Sequence, residues 1–186
     1  FKTPDIIGNA MGGLLYISGD PQMTPCNPPE TQAYYYASLF GTYGTMLALW
    51  QRETRGIGAW IDASVQASMA LHEHVAFNFS SDGRVMKRAG SQHQHNAPAN
   101  LFQCKNGWIA LFVTQNHWPI LLKVWEDHPP ELDDPKWINS NLRRAHADYI
   151  NAQVTSYTSR FLKEDLAELL QKQGIPGLPV NSPRDF

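Results

Sequence analysis

The chain has 186 residues, a formal net charge of -2 at pH 7 and a sequence pI near 6.4. That length supports one good core or two small domains. The balanced charge gives no basic face for nucleic acid, and no apolar run is long enough for a membrane span. Cys26 and Cys104 stand apart without C-x-x-C spacing, the pattern of two free thiols in a reducing cytoplasm.

Residues 1–26 read as a short helix or turn, broken at Gly12-Gly13, followed by a strand or buried turn at Leu14–Ile17. Residues 20–29 hold four prolines and form a loop. A long helix is predicted over Thr31–Arg55. Asn27 is placed to cap it, Pro28 fits the first position, Glu30 completes a capping box, and Gly56 ends it. Within it Ala33, Ala37, Gly41, Gly44 and Ala48 form a stripe of small residues that a neighbouring helix can approach closely. Tyr36, Leu39, Tyr43, Met46, Leu47 and Trp50 form a bulky apolar stripe beside it. Two such stripes predict burial on more than one side. A strand at Ala59–Ser64 and a second helix from Ser64 to about Asn78 follow. Val65, Met69, His72 and Ala76 share a face of that helix, which sets His72 against apolar surface. Ser80–Gly83 reads as a domain boundary.

From Arg84 to Asn100 the chain is polar and lacks periodicity. A β-hairpin then spans 101–113, with Asn106-Gly107 favouring a type I′ turn. Its second strand is apolar throughout, which predicts cover on both faces. Asn116 is placed to cap a helix over 117–127 that turns Trp118, Leu121, Leu122 and Trp125 inward. A turn region spans 128–136. A helix over Trp137–Thr158 has Leu142, Ala145, Tyr149 and Ile150 as inner positions. Leu162–Gln173 is a further amphipathic helix stopped by Gly174, and Ile175–Phe186 is a proline-rich extended tail. No internal repeat is visible, and the fold class is α+β.

Four blocks carry a family resemblance. Arg52-Glu53-Thr54-Arg55-Gly56-Ile57-Gly58-Ala59-Trp60-Ile61-Asp62-Ala63-Ser64 resembles the R-E-x-T-G-x-G-x-x-V-D-x-S signature of family III CoA-transferases, the CaiB/BaiF group that also holds 2-methylacyl-CoA racemases. Asp5 to Gly13, Arg88-Ala89-Gly90 with Pro98 and Cys104 to Trp108, and Gly174 to Val180 resemble further family blocks in the family's order. The resemblance implies large-domain helices in 1–80, a small α+β domain in 81–150 around the hairpin, and a segment 151–186 that returns to the large domain. It also implies an interlocked homodimer. Family members are roughly twice this length, so a central segment or truncated form is expected. The implied substrate is a coenzyme A thioester, with CoA passing to a carboxylic acid and no permanently bound cofactor.

That chemistry uses a carboxylate nucleophile, which attacks the thioester and forms a mixed anhydride. The family places an Asp near the start of the long helix, where the helix N-terminus favours negative charge. Ungapped counting from Arg52-Glu53 puts Tyr34 at that position, and a phenol with a pKa of about 10 is protonated at neutral pH. Glu30, one helical turn earlier, is the nearest carboxylate and a candidate nucleophile or substrate-positioning group; its structural reading is the capping box. Ser91, His93, Gln94 and His95 lie where some relatives carry a glycine-rich loop over the anhydride, and are candidate substrate contacts or an exposed polar loop. Asp62 reads as a cap for the second helix or a brace for the preceding turn. His72 and His74 point to different sides of a helix. His93 and His95 have no acidic or Cys partner nearby in sequence, so no metal site is expected. Two alternatives stay open. One is an acyl-CoA racemase or isomerase of the same family, with loop histidines moving a proton. The other is a non-catalytic dimerisation module without a CoA site.

Overall fold

A computed structural model describes residues 4–72 and 75–185. Contacts divide the chain into two units, Phe1–Gly90 and Ser91–Phe186. The division lies beyond the boundary expected near residue 80 because 84–90 is tied back to the first unit. Arg88 donates to the carbonyls of Asp20 and Tyr16, and the Gly90 amide donates to Gly19.

In the first unit, helices α1 (Asp5–Met11), α2 (Leu14–Ile17), α3 (Gln32–Arg55), α4 (Val65–Ala70) and α5 (Val75–Asp82) surround a small core of Leu14, Ala33 and Met69. Leu14–Ile17 is a helical turn rather than a strand; a four-residue apolar run does not distinguish the two by periodicity. Close packing around α1 depends on missing side chains. A Cβ on Gly8 would sit 2.7 Å from Val65 and 3.0 Å from Ala33, and one on Gly12 would sit 2.1 Å from Met69. The small stripe of α3 therefore receives α1 at Ala33. Further along it receives an extended segment instead of a helix, since a Cβ on Gly44 would lie 2.8 Å from Ile61. The expected strand 59–64 is that segment. It lies along a helix and has no ladder partner among the described residues.

The start of α3 differs from the capping box. The helix begins at Gln32, too late for Asn27, and its Thr31 cap position contributes no side-chain bond. Glu30 turns the chain with φ of 61°, so it does not bond back to Asn27. The capping acceptor comes from α1. Asp5 Oδ1 accepts from the Tyr34 backbone amide at 3.1 Å. Asp5 Oδ2 accepts from Asn9 Nδ2, which also donates to Asn27 Oδ1. Ser64, not Asp62, caps α4 by accepting from the Ala67 amide. The predicted second helix is broken after Ala70. His72 packs its ring 4.6 Å from that of Tyr36, whereas His74 and the side chain of Ala76 lie outside the described residues. Beyond half-buried Tyr36, the bulky stripe of α3 is exposed rather than buried, with Leu47 at 67% and Trp50 at 69% exposure.

The second unit is a three-stranded antiparallel sheet in the order β1-β2-β3, made of β1 (Ala99–Cys104), β2 (Gly107–Phe112) and β3 (Gly177–Pro179). Helices α6 (Trp118–Val124), α7 (Ser140–Ala145), α8 (Ala147–Thr158) and α9 (Lys163–Lys172) complete it. Phe102, Ile109, Trp118, Leu121, Ile150 and Leu166 are buried in one contiguous core. Only one face of β2 is covered: Ile109 and Leu111 point inward, and Trp108, Ala110 and Phe112 are exposed. The hairpin forms where expected, but its two-residue turn is Lys105-Asn106 rather than Asn106-Gly107, with Cys104 opposite Gly107. The turn is not type I′, because Asn106 has no positive φ. Its side chain serves α9 instead, accepting from the Lys163 amide at 2.8 Å and donating to Glu164.

α6 starts at Trp118, and neither Asn116 nor His117 caps it with a side chain. The predicted helix 137–158 is three pieces: a 3₁₀ turn at Pro135–Ile138, then α7, capped by Asn139, then α8. The break rotates the inward face, so Arg143 is fully buried and Ala145 exposed. Arg143 donates to the carbonyls of Ala97, Val113, Trp137 and Ile138, with its guanidinium 4.8 Å from the Trp118 ring. Burial lowers its pKa to about 10, still well above neutral, so it stays charged. Residues 151–186 fall within the second unit. α8 packs on β1, α9 on β3, and β3 extends the sheet.

Candidate functional site

The outward face of the second unit's sheet carries an apolar cleft of about 550 Å³. Strand register builds its floor. Leu101 faces Ala110 across β1 and β2, Ala110 faces Leu178 across β2 and β3, and Ala99 faces Phe112. Pro176 forms part of one wall, and Gln171 of α9 contributes an amide. Ser91 and His93 line the cleft with Asn100, at the side where the polar loop enters β1.

This loop is held by a hydrogen-bond network. Gln92 is its hub: Oε1 accepts from Asn151 Nδ2 at 2.6 Å and from Asn100 Nδ2 at 3.4 Å. Gln92 Nε2 donates to the carbonyls of His93 and Asn96. Ser91 Oγ bonds Asn100 Oδ1, and Arg144 donates to the Gln94 carbonyl at 3.2 Å. His93 stands edge-on to Phe112, ring centres 5.1 Å apart. Its Nδ1 accepts from the His95 amide at 3.2 Å. Two of the four loop residues selected from sequence, Ser91 and His93, thus line the cleft. Gln94 and His95 do not line it; they brace the loop through main-chain atoms. Gln92, Asn100 and Asn151 were missed. Their roles rest on pairings 8 and 59 residues apart that helix or strand spacing does not encode.

In the first unit, Glu30 and Tyr34 flank the start of α3, and both are exposed. The residue that sequence reading missed here is Asp5. Its carboxylate occupies the helix start, where partial positive charge favours an anion. Among the described residues, no group of three or more His, Cys, Asp and Glu side chains could hold a metal ion.

Comparison with known proteins gives one consistent result. A family model described as CoA-transferase family III matches residues 2–186. The chain is 29% identical over 184 residues to the succinyl-CoA–L-malate CoA-transferase beta subunit of Chloroflexus aurantiacus, covering 97% of this chain and 45% of that protein. It is 29% identical to the mouse succinyl-CoA:glutarate CoA-transferase, covering 97% of this chain and 42% of the relative. In fold it resembles a CaiB/BaiF family protein from Brucella suis, with a TM-score of 0.76, 23% identity, and 97% and 48% of the two chains covered. It also resembles a hypothetical protein from Mycobacterium tuberculosis, with a TM-score of 0.82, 14% identity, and 100% and 49% covered. The chain spans about half the length of the curated relatives it matches.

Proposed function

Because the chain belongs to CoA-transferase family III, we propose that the protein moves CoA from an acyl-CoA thioester to a carboxylic acid. The observation that carries this reading is the family match over residues 2–186, with the signature block Arg52–Ser64 running from the end of α3 into the segment on its small stripe. Glu30 is the proposed nucleophile. It is exposed at the turn into α3, and no capping box engages it. Its carboxylate oxygen bonds to the thioester carbonyl carbon, the C–S bond breaks, and CoA leaves as thiolate. Tyr34 contributes its phenol hydroxyl at the same helix start. Ser91 and His93 contact the acid, while Gln94 and His95 hold the loop that carries them.

CoA enters as a substrate, and no permanently bound cofactor is part of this proposal. The exposed stripe of Leu39, Tyr43, Met46, Leu47 and Trp50 supports a homodimer, since apolar patches of this kind mark interaction surfaces. Two free cysteines favour a cytoplasmic setting, and no helix among the described residues is long and apolar enough to cross a membrane. A single observation favours a non-catalytic relative instead: Tyr34 stands where the family's Asp is expected.

A single-turnover assay with acetyl-CoA and a panel of carboxylic acids tests the proposal. Wild-type chain is expected to release CoA and form a hydroxylamine-sensitive enzyme anhydride, and Glu30→Gln is expected to bind CoA yet form no anhydride. Equal anhydride formation by Glu30→Gln would remove Glu30 from the mechanism. CoA binding without transfer by the wild type would favour the non-catalytic reading.

A further inference from the structure

We infer that the cleft on the second unit's sheet takes the apolar body of a monocarboxylic acid, a medium-chain aliphatic or phenyl-bearing one, and excludes dicarboxylic acids. Its role as an acceptor subsite rests on the transferase reading above; its selectivity rests on the cleft alone. The floor is apolar across all three strands, through Leu101, Ala110, Phe112 and Leu178. The polar lining is Ser91, Asn100, Gln171 and His93, whose Nδ1 is engaged by the His95 amide. No Lys, Arg, Asp or Glu lines the cleft among the described residues. An acid can lie with its single carboxylate at the rim beside exposed Ser91 and His93, where water still reaches it, and its hydrocarbon on the floor. A second carboxylate would have to lie on that floor without a cation, and a desolvated charge without a partner is strongly disfavoured. The volume of about 550 Å³ falls in the usual range for small-molecule sites.

The rim is also built in advance. Gln92 fastens Asn100 to Asn151 of α8, and Ser91 is bonded to Asn100. The loop therefore presents its polar groups in one arrangement before a ligand arrives, which lowers the ordering cost of binding.

The test is titration of sodium butanoate, hexanoate, octanoate and succinate into the full chain, followed by amide NMR and calorimetry. Octanoate is expected to shift the resonances of Leu101, Ala110, Leu178 and His93, with affinity rising roughly fourfold per methylene along the series. Succinate is expected to leave them in place. Leu178→Asp, at an exposed position, is expected to weaken octanoate at least tenfold, and Ala110→Trp provides a second, uncharged block. Succinate binding as tightly as octanoate, a flat chain-length series, or shifts produced by protein concentration rather than by octanoate would overturn the inference. Octanoate binding in a chain that never transfers CoA would refute the transferase reading and keep the cleft. CoA transfer to succinate without octanoate binding would do the reverse.

Discussion

The two units bury their apolar residues in opposite ways. The second closes a core around Trp118, Ile109, Ile150 and Leu166 and locks it with one buried arginine. The first has a longer helix but a core of only Leu14, Ala33 and Met69, and leaves Leu39, Tyr43, Met46, Leu47 and Trp50 of α3 in solvent. The small residues of α3 and Tyr36 meet their own chain, and the bulky residues from Leu39 onward stay exposed. One unit thus encloses its apolar side chains, and the other leaves an apolar helix face open. Burial alone, rather than helix length or propensity, separates them.

The largest effect is expected inside the second unit. Arg143→Ala removes the donors to four carbonyls and opens a cavity beside Trp118. It should cost about 3–5 kcal/mol, read as a lower urea midpoint for that unit's transition. An equal loss in the first unit's signals would break the distinction. The next effect belongs to α3. Leu47→Ser combined with Trp50→Ser should leave monomer stability within about 0.5 kcal/mol, since both side chains are exposed. The same pair should weaken dimerisation at least tenfold, or about 1.4 kcal/mol, by analytical ultracentrifugation. Unchanged assembly would show that the stripe is not the contact.

Asp5→Ala should cost about 0.5–2 kcal/mol by taking the acceptor from the Tyr34 amide, and Asn at the same position should restore part of it. Thermal melts of the three proteins measure this, and an Ala variant as stable as the wild type would leave the start of α3 without its cap role for Asp5.

The smallest effect is one of pH. Burial opposes the charged form of His128. The Trp125 carbonyl and the Asp133 carboxylate, which flank its two ring nitrogens, outweigh that and raise its pKa above the ordinary 6.5. A raised folded-state pKa means that the stabilisation is fully present below about pH 6.5. It is lost as pH rises through the folded value. The Tm difference between wild type and His128→Gln should therefore shrink from mildly acidic to mildly alkaline pH. A difference that grows with pH would reverse the assignment.

Much of the fold was legible because hydrophobic spacing is local. The long helix, the 99–112 hairpin, the inward face of α6 and the amphipathic α9 all follow from residues a turn or a pleat apart. The caps were not legible, because their acceptors come from elsewhere. Asp5 serves α3, and Asn106 serves α9 from the hairpin turn. β3 was hidden by its brevity and by Pro179, and 59–64 looked like a strand but lies along a helix. At the candidate site, the loop and its Ser91 and His93 could be found by position in the family pattern. The cleft could not, because its floor exists only once three strands are in register. Gln92 was equally hidden, since Asn151 is 59 residues away and Asn100 lies on a strand beyond an irregular loop.

The most direct measurement is a calorimetric titration of acetyl-CoA, and separately of free CoA, into the purified chain, with circular dichroism to establish that it is folded. Saturable binding of both, at micromolar concentrations, is the expected result for a family III CoA-transferase and would justify the transfer assays with Glu30→Gln. A folded chain that takes up neither ligand would contradict the proposed activity.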